Sequence, residues 1–453
     1  MVTGSSPPLL PLVSTAALLA TTTAISDQMR RGLRAEKSPS EHSLLMLPSF
    51  VDRFADELPA PPSGRYFAID LGGTSLRIAR VVVRAGASPD VWRREWAIPE
   101  PCYDTDNGQL LAWVVERFTA CFPGEAMPVI GLCYSFACRQ NNIDHGEQIM
   151  WTKRFRGTGL LGMDVVQALR DEFAKAGIDA VIPALMNDSV ASLVGAQFVD
   201  PRVQAAVILG TGTNCALVED VRNVETLPAA YRKHGERMII NTEWGDCALP
   251  KGDFAVDEDG DLDRQSANPG HGLFEKLVAG LYIGDVSARI VRRIALDSET
   301  LQNLRGIGDR EGAFDGAVVS AVYNDTSEDL GGVARVLEAA AGVRETTYEE
   351  RSVVRDVCIA ITTRSARLCA AAIAAVACRV AAGRSGGDKQ GVVISVDGST
   401  FTKFAGYRDL VEAALAELRE AVGPAMPPVE LTLADGSSAT GAAVCAAVFA
   451  DAG

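Results

Sequence analysis

Two stretches of this 453-residue chain share one design, and that repetition limits what it can fold into. Tyr66 to Asp70 reads as a strand, Gly72 and Gly73 turn the chain, and Ser75 to Val83 is β-rich, opening in polar–apolar alternation. About 140 residues on, Ala205 to Leu209 is again a strand, Gly210-Thr211-Gly212-Thr213 a turn, and Cys215 to Glu219 a strand. A dinucleotide-binding glycine loop leads from a strand into a helix. Here each glycine turn joins strand to strand, so that reading fails. No Walker A lysine loop occurs either, so any nucleotide is held another way. The duplicated unit implies two related half-molecules facing one ligand.

Around these units strand-like and helical runs alternate, which predicts an α/β architecture. Val129–Tyr134, Ala180–Met186 and Val392–Val396 read as strands. Met163–Ala176, Ser189–Phe198, Gly272–Ile294, Val353–Ala382, Tyr407–Val422 and Gly441–Phe449 read as helices, with Gly383 and Gly423 as stops. Pro59, Pro61, Pro62, Ser63 and Gly64 mark a break before the first strand. Lys251 to Gly270 reads as a polar surface loop. Its Asp257, Asp259, Asp261 and Asp263 mimic a calcium loop, but Leu262 and Asn268 stand where an EF-hand needs glycine and glutamate.

Composition narrows the function classes. The length suits two or three domains. With 58 acidic against 43 basic residues the net charge is −15, which disfavours nucleic acid and anionic lipid as partners. Ten dispersed cysteines without a C-x-x-C pair, and four scattered histidines (His42, His145, His234, His271), predict neither a disulfide framework nor a metal site. A reduced, cytoplasmic setting is expected. Leu9 to Ile25 is apolar but rich in Ser and Thr and follows no basic residue, so it reads as a disordered lead or a packed helix rather than a signal peptide. Leu368 to Cys378 is too short to cross a bilayer and reads as part of a buried helix.

Some residues suggest chemistry directly. Gly72, Gly73 and Thr74 can bring backbone N–H groups close to phosphate oxygens, and Gly212 and Thr213 can do so from the other half. Asp188, at a strand's carboxyl end beside a helix start, is either an N-cap, which the local sequence alone favours, or a general base. Arg77 is either a phosphate contact or an outward strand residue. Trp151 and Trp244 read as packing residues.

Taken together, the segments from about Asp27 onward resemble the hexokinase family. The resemblance rests on SLLMLPSF (43–50), IDLGGTSLR (69–77), YSFACRQNNIDHGEQIMWTKRF (134–155), NDS (187–189), LGTGTN (209–214), NTEWG (241–245), NPGHGLFEK (268–276), VDGS (396–399) and DGSSATGAA (435–443) in that order. It implies two actin-like, ribonuclease H-like α/β domains flanking a deep cleft. The expected division is an N-terminal lead at 1–63, a small domain at 64–187 with 440–453, and a large domain at 188–439.

The resemblance also implies an ATP- and Mg²⁺-dependent kinase acting on the 6-hydroxyl of a hexose. Asp188 is then the base, with Lys153 steering the phosphoryl group. Ser135, Thr152, Lys153, Asn187, Asn214, Glu243 and Glu275 would join Asp188 in holding the sugar. Asp70 would position Mg²⁺ through water. Thr211, Gly212, Thr213, Gly398, Gly436 and Ser437 would lie along the nucleotide, with Gly72, Gly73, Thr74 and Arg77 opposite. A monomer or homodimer is expected. The chain departs from the family pattern at Ser75 (usually Asn), at Ala137 (usually Pro, whose fixed φ is lost) and by one extra residue in the last motif. Rival readings are an N-acetylglucosamine kinase of the same family, a catalytically weak sugar-sensing relative, and an actin- or chaperone-type ATPase.

Overall fold

The computed structural model describes residues 13–36, 42–54, 63–84, 89–151, 154–234, 237–250, 252, 254–308, 312, 314–383, 391–434 and 437–450. Helix α1 (Thr15–Gly32) starts where Ser14 Oγ accepts from Ala17 N, and it buries Leu18, Ile25 and Met29. A short strand β1 (Leu47–Pro48) follows. Strands β2 (Gly64–Leu71), β3 (Ser75–Val83) and β4 (Asp90–Ala97) form an antiparallel meander. Then come α2 (Gln109–Cys121), β5 (Val129–Tyr134), the hairpin β6 (Cys138–Asn142)–β7 (His145–Gln148), α3 (Val165–Lys175) and β8 (Val181–Met186). Helix α4 (Asp188–Val199) leads into a second meander, β9 (Val203–Leu209), β10 (Thr213–Asp220) and, beyond the short α5 (Tyr231–His234), β11 (Arg237–Asn241).

Helices α6 (Asp257–Gln265), α7 (Leu273–Val278), α8 (Gly280–Leu296), α9 (Gly316–Tyr323), α10 (Gly331–Ala341) and α11 (Tyr348–Ala382) follow. The chain closes with β12 (Val392–Asp397), α12 (Ser399–Thr402), α13 (Tyr407–Val422), β13 (Val429–Leu433) and α14 (Ser437–Ala450).

The strands form two main sheets, ordered β4-β3-β2-β5-β8 and β1-β11-β10-β9-β12-β13. Apart from β1, both sheets carry the order 3-2-1-4-5, a meander followed by parallel additions. The duplication read from the glycine turns is therefore a duplication of whole sheets, in a two-domain actin-like α/β fold. Helix α14 lies on the first sheet, α4 lies on the second, and the two helices pack on each other. That contact is backbone-close, since a Cβ on Gly441 would stand 1.8 Å from the carbonyl oxygen of Ala191, and α14 sits as close on the first sheet, where a Cβ on Gly131 of β5 would stand 1.9 Å from the carbonyl oxygen of Ala442. Helix α11 is long and apolar enough to cross a membrane, yet 72% of its most apolar window is packed inside the protein. Its stretch from Leu368 to Ala377 is wholly buried, as the sequence suggested.

Three sequence-based expectations are corrected. Residues 257–265, expected in a loop, form α6, because Asp259 caps Val256 N at 2.9 Å and is held bidentately by the buried Arg364 at 2.7 and 2.9 Å. The single helix expected over Gly272–Ile294 breaks at Ala279, whose extended backbone frees Gly280 N to donate to Gly210 O at 2.8 Å. Ser437 to Thr440, expected in a loop, already belong to α14.

Candidate active site

The parallel strands β2, β5 and β8 place three chain exits side by side. Their register aligns Asp70, Cys133 and Met186 in one row, and Leu71 with Tyr134 in the next. Beyond these rows lie the turn at 72–74, Ser135 and Asn187–Asp188, at the carboxyl edge where α/β sheets bind ligands. Ser135 N donates to Leu71 O at 3.1 Å and Gly72 N to Ser75 O at 2.9 Å, which fixes both turns.

Asn187, not Asp188, is the N-cap of α4; its Oδ1 accepts from Ser189 N at 2.9 Å and from Ser189 Oγ at 2.8 Å. Asp188 is thus the first helical residue, half-buried, at the positive end of the helix dipole, with Ser189 N also donating to its Oδ1 at 2.8 Å. Asp188 and Asp70 flank the same buried thiol. Desolvation first, then the charges of Asp70 and Asp188, push Cys133 well above the ordinary thiol range.

Asp70 is 2% exposed and is held from both sides, accepting from Ser438 Oγ on α14 at 2.9 Å and from Arg77 Nη1 at 3.3 Å. Arg77 Nε reaches Glu95 at 3.1 Å. Burial alone would lower the Arg77 pKa, but its two carboxylate partners raise it above the usual value. Arg77, its side chain 42% exposed, therefore lies at the rim and clamps Asp70 from there.

In the second sheet the turn at 210–213 is pinned from several directions. Gly210 N donates to Gly212 O at 3.0 Å, and Leu281 N to the carbonyl of the exposed Thr211 at 3.3 Å. Gly398 adopts φ +111°, and a Cβ there would lie 2.4 Å from Leu209 O. Only glycine permits this approach of the β12 end to the turn. Glu275, in the first turn of α7, lies over Gly212, and its Oε2 accepts from Thr213 N at 2.9 Å. Thr213 Oγ1 accepts from the indole of the fully buried Trp244 at 2.9 Å. Trp151 stacks on Phe155 with centroids 4.9 Å apart, so both tryptophans pack as read.

A chain of side-chain hydrogen bonds joins the halves. Asn214 Nδ2 donates to Asn187 Oδ1 at 3.1 Å and to Asn241 Oδ1 at 2.9 Å, and Asn241 Nδ2 donates to Glu243 Oε1 at 2.8 Å. Glu243 sits at φ +52°, in left-handed backbone that a glutamate rarely adopts. Beside this chain opens a cleft whose walls include Leu47, Tyr134, Phe136, Met186, Asn187 and Asn241.

The structure thus brings together Asp70, Ser135, Asn187 and Asp188 on one side, and Gly212, Thr213, Asn214, Glu243, Glu275 and Gly398 on the other. Thr152, Lys153 and Gly436 lie outside the described residues; Ser437 opens α14, without a described side chain. Sequence reasoning missed Asn241 and Ser438. Asn241 stood inside the quoted NTEWG, two residues from Glu243 at a strand end, which was signal enough. Ser438 gave none, because its partner Asp70 is 368 residues away.

Residues 12–198 and 204–448 each match a family model described as hexokinase. Hexokinase-1 of Oryza sativa subsp. japonica is 35% identical over 444 residues, covering 94% of this chain and 86% of that protein. Hexokinase-1 of Arabidopsis thaliana is 33% identical over 457 residues, with 94% and 86% covered. A hexokinase from Schistosoma mansoni, solved in complex with glucose, superposes with a TM-score of 0.84 at 26% identity over 96% of this chain and 95% of that one.

Proposed function

Because the chain belongs to the hexokinase family, we propose that it transfers the γ-phosphoryl group of ATP to the 6-hydroxyl of a hexose, with Asp188 as the base. The observation that carries this reading is the convergence of Asp70, Ser135 and Asp188 at adjacent strand ends, facing the Asn187–Asn214–Asn241–Glu243 chain.

The asparagines and glutamates each offer two hydrogen-bonding sites, so each can serve two neighbouring hydroxyls and hold the ring in one pose. Asp188 takes the proton of the reacting hydroxyl as its oxygen bonds to the γ-phosphorus and the bond to the β-phosphate oxygen breaks, releasing ADP. In the turns at 72–74 and 210–213, Gly72, Gly210 and Thr213 N–H are engaged by the protein itself, so the phosphates would meet the N–H groups of Gly73, Thr74, Thr211 and Gly212. Lys153, by resemblance, adds positive charge there.

The buried carboxylate of Asp70, fixed by Ser438 and Arg77, would position a Mg²⁺ through water, the ion's own ligands coming from phosphate and solvent. When bound, that ion would neutralise charge developing on the phosphates. A cytoplasmic setting and a monomer or homodimer belong to the same proposal; ten unpaired thiols fit a reducing compartment.

The test is ADP release from Mg-ATP with glucose, fructose, mannose, glucosamine and N-acetylglucosamine, with Asp188→Ala as control. Hexose-dependent ADP, lost in the variant, supports the proposal. ADP release without sugar points to a plain ATPase. Heat stabilisation by sugar without turnover points to a sensor, and activity surviving in Asp188→Ala removes the mechanism.

A further inference from the structure

Among the described residues, Tyr134 Oη is a buried side-chain oxygen without a hydrogen-bond partner, and it is the one such atom whose residue lines the cleft. Tyr134 is 2% exposed. Its ring packs on Phe136 and Trp151 with centroids 5.0 and 6.5 Å away. A phenylalanine would pack as well, so the oxygen adds nothing to the core and leaves a desolvated hydroxyl unsatisfied. Buried orphans of this kind are uncommon in native proteins and call for a reason.

The surroundings supply one. Strand alternation puts Cys133 on the side of Asp70 and Asp188, and Tyr134 on the other. The electrostatic neighbour of the Tyr134 hydroxyl is the Cys138 thiol, which also lines the cleft and itself senses the Glu243 carboxylate. Tyr134 thus lines the wall of the cleft that also carries Asn187 and Asn241, on the strand face opposite Cys133. Burial pushes its pKa well up, so it remains a protonated donor.

We propose that Tyr134 is a specificity-determining residue whose hydroxyl donates to one ring hydroxyl of the bound hexose, other than the one that accepts phosphate. The inference rests on the sugar-kinase reading above. A site that pairs a substrate hydroxyl discriminates against the analogue lacking it, because its own polar group is then left unpaired. The interaction is present before and during transfer, so its loss appears in KM rather than kcat.

The experiment compares wild type with Tyr134→Phe on the preferred hexose and its monodeoxy derivatives, and follows thermal unfolding with and without each sugar. The expected result is a KM raised roughly three- to tenfold for the parent hexose at similar kcat. For one deoxy sugar, the derivative lacking the partner hydroxyl, wild type and variant should coincide. The sugar-free variant should melt no lower than wild type, since only an unpaired oxygen is lost. Equal losses across every sugar, an unchanged KM for the parent, or a lower melting point without sugar would each overturn the assignment. If the wild type turns over no hexose, the kinase reading fails alone; sugar-induced shifts in melting temperature across the same panel still decide Tyr134.

Discussion

Replacing Gly212 with alanine should damage sugar binding while leaving the fold intact. A Cβ at 212 would stand 2.5 Å from Glu275 Oε2 and 3.4 Å from its carboxyl carbon. Carbon–oxygen contacts settle near roughly 3.3 Å, so the carboxylate must retreat by about 0.8 Å. That retreat breaks the 2.9 Å bond from Thr213 N to Oε2. The displaced carboxylate would also lose its hydrogen bond to the sugar; hydrogen bonds to charged groups contribute about 1.5–3 kcal/mol, and 1.36 kcal/mol is tenfold, so the sugar KM should rise by about ten- to 150-fold. The displaced group is the free end of a flexible side chain, so the backbone need not move, and the melting temperature should stay within about 2 °C of wild type. Steady-state ADP release against sugar concentration, with thermal unfolding of the same samples, measures both. A wild-type sugar KM, or a melting point that falls in step with KM, would refute the placement of Glu275 over the turn.

Asp188→Ala should lower kcat by about 10²–10⁴-fold while sugar still raises the melting temperature, as calorimetry would show. Gly441→Ala forces α14 and α4 apart at a contact of 1.8 Å to Ala191 O, and should cost at least about 1–3 kcal/mol in urea unfolding. Thr213→Val leaves the Trp244 indole N–H without its acceptor and should cost about 1–3 kcal/mol in the same assay. Asp263 receives the buried Lys276 at 2.6 Å; burial works against its charge, but Lys276 holds its pKa below the usual carboxylate value. Its contribution is therefore present above the unfolded value of 3.8 and lost as pH falls through the lower folded one. Asp263→Asn should be less stable than wild type near neutrality, and that gap should close below about pH 4.

What the sequence disclosed follows the range of the forces involved. Ser75–Val83, Val129–Tyr134 and Tyr407–Val422 have their expected bounds because alternation, turn glycines and a terminal glycine act locally. Helix α6 was hidden because Leu262 is its sole buried apolar residue and its decisive partner, Arg364, lies 105 residues away. The break at Ala279 was hidden because the apolar pattern runs through it, and Gly210 dictates it from the distant turn between β9 and β10. At the site, motif order pointed to Asn187, Asp188, Asn214, Glu243 and Glu275. Asn187's role as cap, Asn241's place between Asn214 and Glu243, and Tyr134's unpaired hydroxyl depend on neighbours that only folding supplies.

The account stands on Asp188 and the two glycine turns meeting across one cleft. A crystal structure of Asp188→Asn with a hexose, Mg²⁺ and a non-hydrolysable ATP analogue tests that directly. The terminal phosphorus should lie between residues 72–74 and 210–213, with a sugar hydroxyl between it and residue 188. A sugar bound away from Asn187 and Glu243, or a triphosphate that touches neither turn, would contradict it.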